Sequence, residues 1–244
     1  MRPRFVREQL SQSSPVGSVN TPFRLSPLLV DFYQQYLVDQ DISCFLRRTS
    51  ARYEIGTLHR LATSDDRHAR RGAVLALGRL ADYQSNSVLG RALTDLDRGV
   101  RTLAEHAITR VWLRAGSATE QHRLAAIAEQ LDDRLYHQAA RLAAELIQDA
   151  PWIAQTWYQR GVASYQLGHD EASIRDCHQA LEINAYHFQA AALMGQAYHR
   201  RNEIVPAMEA FRRALRLNPN LEEVRTRLVQ LQRSFKGQEP PNGS

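Results

Sequence analysis

Self-similarity at a spacing of 34 residues in the C-terminal half most constrains what this sequence can fold into. The matching positions are Gly161 and Gly195, Ala180-Leu181 and Ala214-Leu215, and Ile183-Asn184 and Leu217-Asn218. A fixed period of this length indicates stacked copies of one supersecondary unit, because a single copy cannot bury its own apolar face. The sequence therefore predicts a repeat architecture.

Helical periodicity runs through most of the chain. Across residues 27–236, helical patterns follow one another with short breaks of Gly, Asp, Asn or Pro, and no stretch shows sustained strand alternation. The first helix is predicted to open with Ser26 as N-cap and Pro27 at the first helical position. Gly161 and Gly195 fall in mid-helix, where Gly costs about 1 kcal/mol relative to Ala, so they predict close helix crossings. The predicted fold class is all-α.

The residues at the 34-residue period resemble the tetratricopeptide repeat. The copies span residues 154–187 and 188–221, and Ala185 stands where the family usually has Pro. The positions that carry the resemblance are Trp157, Gly161, Tyr165, Gly168, Ile174, Ala180 and Leu181, then Leu193, Gly195, Tyr198, Ala207, Phe211, Ala214, Leu215 and Pro219. Residues 120–153 look like a degenerate earlier copy, and residues 221–235 like a capping helix. The resemblance implies pairs of antiparallel helices, A and B, stacked into a superhelix.

A second period, of 31 residues, appears in the N-terminal half. It relates Asp66 to Asp97, Arg70 to Arg101, Ala73 to Ala104, Ala76 to Ala107, Leu77 to Ile108 and Leu80 to Val111. These strings resemble the short HEAT-like repeats of phycobilin lyases and many bacterial scaffolds. An Asp at the turn favours a helix N-terminus, and an Arg one turn later can reach the Asp of the neighbouring repeat, which predicts an inter-repeat ion-pair ladder.

Two short repeats need neighbours to bury their apolar faces. The expected neighbours are helices at residues 27–49 and at about 117–131, which together predict a continuous right-handed α-solenoid, an α–α superhelix of HEAT-like hairpins followed by tetratricopeptide hairpins. The predicted organisation is a flexible leader (1–25), a helical region with two HEAT-like repeats (26–116), about three tetratricopeptide hairpins with a capping helix (117–236) and a disordered tail (237–244).

Composition narrows the class of protein. No apolar stretch reaches the length of a membrane span, and the N-terminus lacks the apolar core of a secretory signal, so we expect a cytoplasmic protein. Cys44 and Cys177 are far apart, which argues against a disulfide framework and a clustered zinc site. The net charge is +5 and Lys236 is the single lysine. The arginines are interspersed with Asp and Glu, which favours an ion-paired helical surface over nucleic-acid binding.

The sequence contains no nucleophile elbow, phosphate-binding Gly loop, zinc-protease motif or paired Cys. Cys177 and His178 are adjacent, but neighbours on a helix point about 100° apart and do not form a thiolate–imidazole pair. Asp65-Asp66 and Asp132-Asp133 each precede a helix, which favours capping. We therefore predict no catalytic, cofactor-binding or metal-binding residues, no cofactor and no enzymatic activity.

The resemblance places the concave groove of the repeats along one stripe of the A helices. In this sequence the stripe carries Gln155, Tyr158, Val162, Tyr165, Gln189, Ala192, Gln196, His199 and Arg200. Such a surface suits an extended or helical peptide. Some family members clamp the terminal carboxylate of a chaperone tail with Lys and Asn on this stripe, and neither residue occurs at these positions here.

The predicted function is a protein-interaction scaffold or adaptor that binds a peptide or partner protein in this groove. Two alternatives stay open: an accessory subunit or lyase-like enzyme using the HEAT-like segment, and an Arg-mediated nucleic-acid binder. Self-association into a homo-oligomer also stays open. The partner itself is not identified by the sequence.

Overall fold

The computed structural model describes residues 27–236, and every regular element within that range is helical. The predicted leader and tail, and the predicted cap Ser26, lie outside the described residues. The first half contains α1 (Leu28–Asp39), α2 (Ile42–Ser50), α3 (Ile55–Leu61), α4 (Arg67–Leu80), a 3₁₀ turn (Tyr83–Ser85), α5 (Asn86–Ala92) and α6 (Arg98–Trp112). The second half contains α7 (Ala118–Asp132), α8 (Tyr136–Asp149), α9 (Ala154–Gln166), α10 (Asp170–Ile183), α11 (Phe188–Arg200), α12 (Ile204–Leu217) and α13 (Glu222–Lys236).

Successive helices pack as antiparallel hairpins, and neighbouring hairpins stack on one another. The predicted all-α fold, a superhelix of stacked α–α hairpins, is confirmed. The helix α1 begins at Leu28 with Pro27 at its N-cap, one position later than predicted. Helix α1 packs on α4, as the predicted position of its segment beside the first short repeat requires.

Two aspartates 31 residues apart start equivalent helices in the first half. Asp66 Oδ1 accepts a hydrogen bond from the His68 backbone N–H at 2.7 Å, and Asp97 Oδ1 accepts one from the Val100 N–H at 2.9 Å. An acidic cap satisfies an otherwise orphaned helical N–H and complements the helix dipole. The 31-residue period therefore corresponds to two equivalent hairpins, α3–α4 and α5–α6.

An arginine ladder joins these hairpins and continues beyond them. Arg70 donates to both carboxylate oxygens of Asp95, at 2.8 and 3.0 Å. Arg101, 31 residues later, donates instead to Asn220 Oδ1 at 3.2 Å. The predicted ladder is thus present between the two short hairpins, and the residue that receives its next rung comes from the turn before α13.

A second pair of bidentate contacts runs alongside this ladder. Arg71 donates to both carboxylate oxygens of Asp97, at 2.7 and 2.8 Å. These hydrogen bonds favour the carboxylate and lower the pKa of Asp97 to about 2. One aspartate therefore caps α6 and anchors α4 at the same time.

The two mid-helix glycines mark close crossings, as their position in the sequence predicts. A methyl group on Gly161 would lie 3.2 Å from Cys177 Sγ, where α9 crosses α10. A methyl group on Gly195 would lie 2.5 Å from the Phe211 ring, where α11 crosses α12. Because 2.5 Å is far below van der Waals contact, the second crossing tolerates no side chain without movement.

The outer flank of α6 differs from the prediction. We expected residues 117–131 to cover this flank, but that segment, α7, packs on α8 and α9. Phe188 belongs to the same buried core as α4 to α6, and Leu217 and Leu221 pack against that core. Gly116, at a φ of +81°, turns the chain between α6 and α7. The C-terminal hairpins thus fold back to cover the N-terminal ones.

Candidate partner-binding surface

A junction between the two halves determines which part of the predicted stripe is accessible. The Trp112 indole, at the end of α6, is 1% exposed and stacks on the His187 imidazole with ring centroids 4.2 Å apart. It also packs on Phe188 at 5.4 Å. His187 and Phe188 form the connection between α10 and α11, so the first half of the chain seals this turn.

Polar contacts fix the same junction. Trp112 Nε1 donates to Asn86 Oδ1 at 2.7 Å, and Asn86 Nδ2 donates to Asn184 Oδ1 at 3.0 Å. A methyl group on Gly90 would lie 2.3 Å from the Tyr186 ring, so glycine allows α5 to approach this aromatic side chain. Hydrogen bonds and steric fit together specify one docking geometry.

His187 is fully buried and uncharged. Its Nδ1 accepts a hydrogen bond from the Ala190 backbone N–H at 3.2 Å, which places the ring proton on Nε2. That proton is donated to Gln155 Oε1, also at 3.2 Å. Burial lowers the pKa of His187 to about 3, because a charged imidazolium would lose its hydration there.

The first two residues of the predicted stripe take part in this junction. Gln155 is 9% exposed and bonded to His187. The Tyr158 ring lies 4.8 Å from the His187 ring and packs against the core of α10 to α13. Burial raises the pKa of the Tyr158 hydroxyl. Contacts within the chain thus occupy this end of the stripe.

The middle of the stripe is half-buried. Val162, Tyr165 and Ala192 pack against the same C-terminal core. Arg200 covers the Tyr165 ring, with its guanidinium carbon 3.8 Å from the ring centroid. It also donates to the Tyr165 carbonyl and to both carboxylate oxygens of Asp170. The hydrogen bonds to Asp170 raise the pKa of Arg200, which is held in place at the end of α11.

Three polar side chains of the stripe have no partner among the described residues. Gln189 and Gln196 are half-buried, His199 is exposed, and no described group bonds to any of their side chains. All three lie on α11 at spacings of seven and three residues, so they share one face of that helix. The accessible polar part of the predicted stripe is therefore this face of α11.

The cysteines do not form a reactive centre with the neighbouring groups. Cys177 is fully buried against Gly161, and burial raises the pKa of its thiol, whereas His178 is exposed. Within residues 27–236, no three His, Cys, Asp or Glu side chains converge in a way that could hold a metal ion. In the same range no helix combines the length and apolar character needed to cross a lipid bilayer.

Comparison with known proteins bears on the second half of the chain. Residues 154–187 and 188–221 each match the tetratricopeptide repeat family. No curated protein matches the chain significantly.

Solved structures of repeat proteins share the architecture. The first tetratricopeptide domain of RPAP3, solved with an HSP90 peptide, is 18% identical with a TM-score of 0.48, covering 50% of this chain and 96% of that one. The tetratricopeptide 2AB domain of yeast Sti1, in complex with an HSP90 peptide, is 15% identical with a TM-score of 0.43, covering 84% and 95%. A repeat protein of Thermus thermophilus is 16% identical with a TM-score of 0.37, covering 84% and 97%.

Sequence reasoning missed the junction at Trp112. Periodicity identifies which face of a helix is apolar, but it does not say which distant element covers that face. One signal was present: His187 and Phe188 stand where a repeat turn would ordinarily be solvated, and a bulky aromatic pair there calls for a partner. The identity of that partner is a tertiary property.

Proposed function

Because residues 154–221 are two tetratricopeptide repeats, we propose that this protein is an interaction scaffold that binds a partner protein along the accessible face of α11. Gln189, Gln196 and His199 supply the contacts. The binding mode is recognition of an extended segment of the partner chain, whose backbone amides exchange hydrogen bonds with the two glutamine side chains. The protein acts by binding and carries out no chemistry on its partner.

The absence of internal partners for these three side chains is the observation that carries the proposal. Elsewhere on the stripe, polar groups are satisfied within the chain: Gln155 bonds to His187, and Arg200 bonds to Asp170. A primary amide offers two donors and an acceptor, and it gains most by binding a segment that presents both. The unsatisfied amides of α11 therefore face outward with capacity for a partner backbone.

The chemistry of this face sets the class of segment that fits. Gln189 and Gln196 are neutral, and the nearest cation, Arg200, is already engaged with Asp170. A carboxylate clamp needs a free cation, so we propose that recognition depends on backbone amides rather than on a chain-terminal carboxylate. The half-buried Val162 and Ala192 offer small apolar contacts beside the amides.

Affinity capture from the native host tests this proposal. The bait would be the full chain, compared with a variant carrying Gln189→Ala, Gln196→Ala and His199→Ala. A matched control carries Gln34→Ala, Gln35→Ala and His122→Ala, which remove the same residue types from exposed positions on α1 and α7. We expect a partner that co-purifies with the wild type and the control at equal yield, and at less than a tenth of that yield with the α11 variant. Equal capture by all three baits would refute the proposed face.

A further inference from the structure

A groove lies on the side of α11 opposite to the Gln196 face. Its walls are α10 and α12, and its volume is about 370 Å³. Met194 and Tyr198 of α11 line it, and Tyr198 is about 200° around the helix from Gln196 at 100° per residue. The groove is therefore a surface separate from the one proposed above.

Three arginines surround this groove. Arg212, Arg213 and Arg216 of α12 line it together with a single carboxylate, Glu209. No described carboxylate lies within ion-pairing distance of any of the three guanidinium groups, and no described acceptor bonds to them. Like charges at i, i+3 and i+4 on one helix repel one another, so this arrangement costs some helix stability. That cost is offset when an anionic group binds.

The first repeat closes the equivalent groove with its own residues. At the positions 34 residues before Met194 and Ala210 stand Arg160 and Asp176, which form a bidentate ion pair at 2.8 and 2.6 Å. Where the second repeat has three arginines, the first has His178, Gln179 and Glu182. The same scaffold is thus filled and neutral in one repeat, and open, apolar at its centre and cationic at its edge in the other.

We propose that the groove between α10 and α12 is a second docking site, which binds an acidic peptide segment of a partner protein through one large apolar side chain. The apolar side chain packs against Met194 and Tyr198, and the flanking carboxylates pair with the arginines of α12. Charge selects this occupant. Residues 1–26 of the same chain carry four arginines and one glutamate, so they do not supply the acidic segment.

Fluorescence anisotropy with the full-length protein tests the site. The probe is a fluorescein-labelled decapeptide library with four Glu, a central Phe, Trp, Leu or Met, and Ser or Gly elsewhere. We expect saturable binding that weakens with added salt. Arg212→Gln, Arg213→Gln and Arg216→Gln together should weaken binding at least tenfold. The matched variant Arg47→Gln, Arg52→Gln and Arg98→Gln removes equal charge from exposed positions and should stay within twofold of the wild type.

A second variant removes the groove and keeps its arginines. Met194→Arg with Ala210→Asp transplants the ion pair of the first repeat into the second, and circular dichroism confirms that the helices persist. We expect at least a tenfold loss of binding here, and the same loss when Ala replaces the central residue of the probe. The α11 variant with Gln189→Ala, Gln196→Ala and His199→Ala should bind the probe as the wild type does, which separates this site from the proposed function.

Several outcomes would overturn the site. One is no measurable binding of the probe by the wild type, and another is unchanged binding by either groove variant. Displacement of the probe by an equal concentration of a ten-nucleotide single strand would make the arginines a phosphate-binding surface instead. A dimer in sedimentation that dissociates in the triple Arg→Gln variant would assign the groove to a second copy of this chain.

Discussion

Lowering the pH from 8 to 5 should destabilise the protein by about 2 kcal/mol through His187 alone. The imidazole is fully buried between Trp112 and Tyr158, and its pKa falls from the ordinary 6.5 to about 3 on folding. At pH 5 the unfolded chain binds a proton at this side chain and the folded chain does not. Protonation therefore pulls the equilibrium toward the unfolded state.

The sign and the range follow from these two pKa values. A histidine whose pKa is depressed on folding contributes no pH-dependent penalty above pH 6.5, and stability is lost as the pH falls from 6.5 toward 3. Each pH unit in that range costs about 1.4 kcal/mol, so the 1.5 units from 6.5 to 5 give about 2 kcal/mol. Asp97 does not contribute here, because its pKa moves from 3.8 to about 2, and its stabilisation is lost only in more acidic solution.

Urea unfolding at pH 8 and pH 5 measures this loss when the wild type is compared with His187→Asn. Asparagine keeps an acceptor for the N-terminus of α11 and does not titrate. The variant starts less stable at pH 8, because it loses the stacking on Trp112, but its loss between the two pH values should be smaller by about 2 kcal/mol. The other histidines are common to both proteins. Equal losses in the two proteins would show that His187 is accessible to protons in the folded state, and the junction would then be incorrectly described.

Further predictions concern packing. Trp112→Ala should cost about 3–5 kcal/mol in urea unfolding, because it empties a buried aromatic site between the two halves, and a cost below 1 kcal/mol would contradict that burial. Gly195→Ala should destabilise by about 1–3 kcal/mol through overpacking against an aromatic ring. Gly161→Ala should be nearly neutral, since contacts at 3.2 Å and beyond leave room for the roughly 1 kcal/mol gain in helix propensity to compensate; equal costs would contradict this difference. In native protein a thiol reagent should modify Cys44 and leave Cys177 unmodified until urea is added, and rapid reaction of both would show that the second core opens.

Much of this fold could be predicted from the sequence because its information is periodic. The spacing between Gly161 and Gly195 located two hairpins, and the spacing between Asp66 and Asp97 located two more, since caps and close crossings have strict residue requirements. Arg70 reaches Asp95 as the inter-repeat ladder requires. These features depend on neighbours in sequence or on the adjacent repeat, and so they could be read from pattern alone.

The contacts between the halves could not be predicted this way. Asn220 receives Arg101 from 119 residues away, and Trp112 meets His187 across 75 positions of sequence. Neither contact repeats, so no period reveals it. The same limit applies to the candidate surface: the helical stripe could be predicted, but the withdrawal of Gln155 into the junction depends on how the first half docks.

Site-specific photocrosslinking tests the central claim, that a partner binds along the accessible face of α11, most directly. Benzoylphenylalanine would replace Gln196 in one full-length protein and Gln34, exposed on α1, in another. Irradiation with the captured partner should give a covalent adduct from position 196 and none from position 34. A protein that still captures the partner but forms adducts equally at both positions, or only at position 34, would contradict the claim.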